Sequence, residues 1–92
     1  MAGNDKNHDR ETVERVANLL GCAFATKNTS VDDLLSTVLS INDSLTIHSN
    51  KGIVSGYYKY TTTDYSAILL RTTKGFLSIP WEDIDEIRIN KF

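Results

Sequence analysis

The sequence predicts a single α+β domain: two N-terminal helices followed by a five-stranded small β-barrel. Three observations predict it. The apolar period changes from about 3.6 to about 2 at Leu45. Four turn clusters, at Ser49–Gly52, Thr62–Asp64, Thr72–Gly75 and Pro80–Asp83, divide the second half into five short segments. The stretch from Gly75 to Ile89 reads as strand, one-turn corner, strand, which is how a small barrel closes on itself.

Residues 1–8 are polar and rich in turn formers, and the expectation there is a disordered arm. Residues 9–92 form the domain, with helices in 9–40 and the barrel in 44–90. Val13, Val16, Ala17 and Leu20 fall on one helical face. Asp9 is placed to cap that helix, and Gly21 to end it. Cys22 to Thr26 is apolar and short, and is compatible with a linker strand or a helical extension. A second helix is predicted from Ser30 to Ser40, with Ser30 as N-cap and Asp33 three residues on. Val31, Leu34, Leu35, Val38 and Leu39 form a stripe wide enough to seal one side of a barrel.

Leu45 and Ile47 alternate with Thr46 and His48 in the first strand. Ile53 to Thr61 is the second, with Gly56 inside it where a strand can bend sharply. Tyr65 to Arg71 is the third, Phe76 to Ile79 the fourth, and Ile84 to Asn90 the fifth. Pro80 ends the fourth because it has no N–H to donate. Pro80-Trp81-Glu82-Asp83 has room for one 3₁₀-like turn. The expected core contains Leu35, Val38, Leu45, Ile47, Ile68, Leu70, Ile79, Ile84 and Ile87.

Composition excludes several classes. The chain has 92 residues, 40% of them hydrophobic and 24% charged, an ordinary globular composition. No apolar run approaches the roughly 18–20 residues of a membrane span, and the first residues lack the apolar core of a secretion signal. The single cysteine, Cys22, cannot form an internal disulfide and favours a reducing cytoplasm. Net charge is −2, without the basic excess of strong nucleic-acid binders. Residues 1–43 carry four basic and seven acidic side chains, and residues 44–92 six basic and five acidic. An anionic partner would therefore use the second half.

No catalytic constellation is visible, so no enzyme activity, cofactor or metal is expected. A lone cysteine in an apolar context serves packing far more often than chemistry. His48 alternates with Leu45 and Ile47 toward solvent and lacks ligand partners. Glu82, Asp83, Asp85 and Glu86 read as a solvated turn, without a Gly-spaced oxygen-ligand loop.

The aromatic residues carry more information. Tyr57, Tyr58, Tyr60 and Tyr65 lie in or just after the second strand, with Lys59 and Arg71 nearby. Alternation puts Tyr58 and Tyr60 on one face and Tyr57 and Lys59 on the other. One pair completes the core, and the exposed one suits a protein interface or base stacking. Trp81 is expected to cap the barrel end. Tyr57, Lys59, Tyr65, Arg71, Phe76 and Trp81 are the candidate binding residues. Phe76-Leu77-Ser78-Ile79 has no charge to block edge pairing.

A helix, five short strands, Gly52 and Gly56 around the first hairpin, and the run Asp64-Tyr65-Ser66-Ala67-Ile68-Leu69-Leu70 together resemble the Sm-like branch of SH3-type barrels over about residues 31–90. The Gly52 to Gly56 spacing is one residue shorter than the usual Sm pattern. The Sm resemblance implies a basic, RNA-contacting fourth turn, whereas Glu82 and Asp83 here would repel phosphate. The segment Ile79-Pro80-Trp81-Glu82-Asp83-Ile84-Asp85-Glu86-Ile87 is more similar to the close of YolD-like proteins, a family of small bacterial and phage-associated proteins. Their N-terminal tryptophan-containing segment is missing. This resemblance implies an accessory role. The expected function is therefore non-catalytic protein binding or self-association through the fourth strand, in the cytoplasm of a bacterial or phage context. The alternative is a single-stranded RNA or DNA binder resembling Sm proteins and Hfq. A face combining Tyr57, Lys59 and Arg71 without nearby carboxylates would favour that alternative.

Overall fold

A computed structural model describes residues 6–21 and 29–90 of the chain. The expectations for Cys22 to Thr26, and for the first five residues of the arm, fall outside them. Residues 6–8 are tied to the domain: the Lys6 N–H donates to the Asp64 carbonyl, and the Asn7 carbonyl accepts from Val31 N–H.

Helix α1 (Arg10–Leu20) starts where the sequence places it. The Asp9 carboxylate accepts from the Thr12 N–H at 3.0 Å and from its hydroxyl at 2.7 Å. These bonds, the hydroxyl's first, hold the Asp9 carboxyl below its ordinary range. Gly21, at φ 72°, closes the helix by donating back to Ala17 and Asn18. Helix α2 (Val31–Val38) is capped by Ser30 Oγ, which accepts from Asp33 N–H at 3.0 Å. It stops two residues short of Ser40, because Leu39 is extended and Asp43 Oδ2 takes the Ser40 N–H at 2.9 Å.

Five strands follow: β1 (Ser44–Ser49), β2 (Gly52–Thr61), β3 (Ala67–Thr72), β4 (Gly75–Pro80) and β5 (Ile84–Ile89). They form one antiparallel sheet in the order β4-β3-β2-β1-β5. A 3₁₀ turn, Trp81–Asp83, joins β4 to β5, as the sequence indicates. The closed barrel does not form. β4 and β5 are the two outer strands and share no ladder, so the sheet is open. Closure would require main-chain bonds between them. Pro80 has no N–H to offer, and the turn after it delivers β5 to β1, with Ile84 opposite Ser49. The expected five-stranded Sm/SH3-like barrel is thus corrected to an open five-stranded antiparallel sheet that shares a core with the two helices.

β2 is long because its first half pairs with β1 and its second half with β3. Gly56 sits where the two ladders meet. A Cβ there would come within 2.8 Å of the Arg71 carbonyl oxygen, so the close approach needs glycine. β3 begins two residues later than Tyr65. Tyr65 itself, at φ 60°, belongs to the preceding turn.

The inner face of the sheet and the two helices share one core. It includes Val13, Val16, Ala17, Val31, Leu34, Leu35 and Leu39 from the helical segment, and Leu45, Ile47, Ile68, Leu70, Ile79, Ile84 and Ile87 from the sheet. Every residue of the expected core is buried except Val38, which packs half-buried at its border.

Candidate interaction surface

The two edges of the sheet differ in chemistry. On the β5 edge the exposed side chains are charged: Asp85, Glu86 and Arg88, with Arg88 paired to Glu86 at 3.6 Å. Charges on an edge oppose pairing with another chain. β4, from Gly75 to Pro80, carries no charge at all. Its first four residues are exposed on both faces of the sheet. Phe76 points outward at 65% exposure, and Leu77 points inward yet is still 39% exposed.

Hydrogen-bond parity fixes what this edge offers. The Trp81 N–H donates to the Ser66 carbonyl, one step beyond the Ala67–Pro80 pair. In an antiparallel ladder, bonded and non-bonded pairs alternate. Ile79, Leu77 and Gly75 therefore bond to β3, while Phe76 and Ser78 turn both N–H and C=O to the open side. Pro80 takes the next outward position, where its missing N–H costs nothing.

Tyr57, Arg71 and Phe76 form one row across β2, β3 and β4 on the outer face. Tyr60 joins this face, contrary to simple alternation. A bulge between Tyr58 and Tyr60 inserts Lys59 as an extra residue. Tyr58 turns inward at 8% exposure, while Tyr57 and Tyr60 stand out at 54% and 56%. Burial, with a smaller effect from the Asp32 charge, pushes the Tyr58 phenol above its ordinary value. Lys59 donates from Nζ to Asn42 Oδ1. Asn42, Ser44, Ser55, Tyr57 and Arg71 border a shallow groove of about 540 Å³ with no carboxylate in its lining among the described residues.

Tyr65 and Trp81 lie away from this surface. Trp81 is 2% exposed and donates from Nε1 to the Tyr65 carbonyl at 2.9 Å. It belongs to the buried core, where the sequence predicts a cap over a barrel end, and its side chain is not exposed on the outer face with Tyr57 and Phe76. Tyr65 is half-buried, in a turn organised by Asp64. Asp64 Oδ1 accepts from the Ser66 hydroxyl at 2.6 Å, the Thr62 hydroxyl at 2.9 Å and the Ser66 N–H at 3.1 Å. These bonds, led by the Ser66 hydroxyl, lower the Asp64 carboxyl below its ordinary range. Of the six predicted residues, the structure brings Tyr57, Arg71 and Phe76 together and sets Lys59 beside them. Sequence reasoning missed Leu77 and Tyr60. Alternation alone places Leu77 inward and, without the bulge, Tyr60 with Tyr58.

No group of metal-ligating side chains occurs among the described residues, and no helix among them is long and apolar enough to cross a membrane. No protein-family model, curated protein or solved structure matches this chain.

Proposed function

We propose that this protein is a non-catalytic accessory domain of the cytosol in a bacterial or phage context, acting by protein association, in the first place with itself, through the β4 edge. The inequality of the two edges supports this reading. One is guarded by Asp85, Glu86 and Arg88, and the other is uncharged, with Phe76 and Leu77 both exposed. Edge pairing would supply main-chain bonds, and burial of these two side chains most of the affinity. A small closed oligomer follows, a dimer by base rate. Light scattering coupled to size exclusion at about 100 µM, where even weak pairing registers, should show it. Ser78→Lys should dissociate it while leaving the circular dichroism spectrum and melting transition of the fold in place. A wild type that is strictly monomeric, or an oligomer indifferent to Ser78→Lys, overturns the reading.

The carboxylate-free groove beside Tyr57 and Arg71 favours a second reading, a single-stranded nucleic-acid binder in which Tyr57 and Phe76 stack bases and Arg71 meets phosphate. Lys59 Nζ is hydrogen-bonded to Asn42, and Arg71 is the one cationic side chain in the groove lining among the described residues. On the first reading, fluorescence titration with single-stranded RNA and DNA oligomers at physiological salt shows weak or no binding. Sub-micromolar affinity with a steep salt slope would put the second reading first.

A further inference from the structure

The geometry points to a specific partner and register for the β4 edge: a second copy of this chain, paired antiparallel about a twofold axis that passes through Leu77. This rests on the self-association reading above and adds to it the atoms that meet.

The outward groups of β4 admit few registers. In a twofold pair of antiparallel strands, residues that exchange hydrogen bonds must both point outward. Phe76 and Ser78 do so, with Lys74 and Pro80 at the flanking positions. Setting Phe76 opposite Ser78 of the second copy, and Ser78 opposite its Phe76, forms four bonds. It satisfies every outward N–H and C=O of both residues. Centring the pair on Ser78 would set Phe76 opposite Pro80, whose missing N–H leaves the Phe76 carbonyl without a donor. Centring it on Phe76 would set Ser78 opposite Lys74, whose N–H is already given to Thr72 Oγ1 at 3.1 Å. Only the Leu77-centred register leaves nothing unpaired at these residues.

The side chains fit the same register. On the inner face the two Leu77 residues become a directly opposed, non-hydrogen-bonded pair, the arrangement with the closest side chains. Each covers the other's exposed surface. On the outer face the two Phe76 rings become diagonal neighbours, within reach of one another at about 7–8 Å. No side chain of Gly75–Pro80 is charged, so no like charges meet across the axis. The two sheets join into one of ten strands, whose remaining edges are the charged β5 strands. Growth stops at two copies.

Cysteine cross-linking tests the register. A non-hydrogen-bonded antiparallel pair brings Cα atoms to about 4.5 Å, inside the range a disulfide spans. In a Cys22→Ser background, Leu77→Cys should form a covalent dimer under mild oxidation, seen on non-reducing gels, at least ten times faster than Phe76→Cys or Ser78→Cys. Comparable or faster cross-linking by either of the other two would overturn the Leu77 register while leaving edge pairing intact. A Ser78→Lys-sensitive dimer in which none of the three cross-links would also overturn it. If the wild type is monomeric, this inference falls together with the reading it rests on.

Discussion

Trp81→Ala is expected to destabilise the fold by about 3–5 kcal/mol, the largest effect of any single substitution considered for this chain. Trp81 lies in the one-turn corner between β4 and β5 and is 2% exposed. It belongs to the same buried cluster as Val13 and Val16 of α1 and Ile84 of β5. Truncation removes a large buried ring and leaves a cavity that a backbone fixed on two sides, by β4 and by β5, cannot collapse to fill. It also removes the Nε1 donor to the Tyr65 carbonyl. A domain of this size has a total stability of roughly 5–14 kcal/mol, so the loss is a large fraction of it. Trp81→Phe separates the two parts. It keeps most of the apolar burial and orphans the Tyr65 carbonyl, at a cost of about 1–3 kcal/mol. Urea denaturation followed by far-ultraviolet circular dichroism is the suitable measurement, because Trp81 is the only tryptophan and its fluorescence goes with it. A Trp81→Ala loss below about 1 kcal/mol would mean that the corner does not close the core.

Much of this fold is legible in the sequence because local chemistry sets it. Asp9, Ser30 and Gly21 mark helix ends through bonds made within three or four residues. Pro80 and the three residues after it permit one tight turn and nothing longer. Sheet closure is different in kind. It depends on whether β4 and β5, joined by three residues, meet each other or separate neighbours, and no short segment encodes that choice. The same holds for the surface. Period-two alternation sets Tyr57 and Tyr58 on opposite faces, as they lie in the structure, then fails at Tyr60, because a single inserted residue, Lys59, reverses the count. Leu77 shows a third limit. Its inward direction follows from alternation, but its exposure depends on what packs against it, a tertiary quantity with no local signature. Edge chemistry is the exception among the long-range features. Charge is read residue by residue, so the contrast between Gly75–Pro80 and Asp85–Arg88 is present in the sequence once the strands are assigned.

Leu35→Ala is expected to cost about 2–5 kcal/mol, and the reason lies in the shortness of α2. Eight residues are too few for a helix to persist in water on its own, where lengths below about 12–15 are marginal. Its N-cap bond from Asp33 to Ser30 contributes on the order of 1 kcal/mol, which does not offset the cost of nucleation. The helix therefore exists because Val31, Leu34, Leu35 and Leu39 bury themselves against the sheet and α1. Leu35 is 2% exposed and near the centre of that stripe. Removing its side chain weakens the transfer of apolar surface and the packing that holds the helix in being. Ser36→Ala, on the exposed side of the same helix, supplies the control, since surface changes of this kind stay within about 0.5 kcal/mol. Chemical denaturation of both variants should give a difference of at least 1.5 kcal/mol, about the gap between the bottom of the core range and the top of the surface range. Equal midpoints would mean that α2 does not pack on the inner face of the sheet.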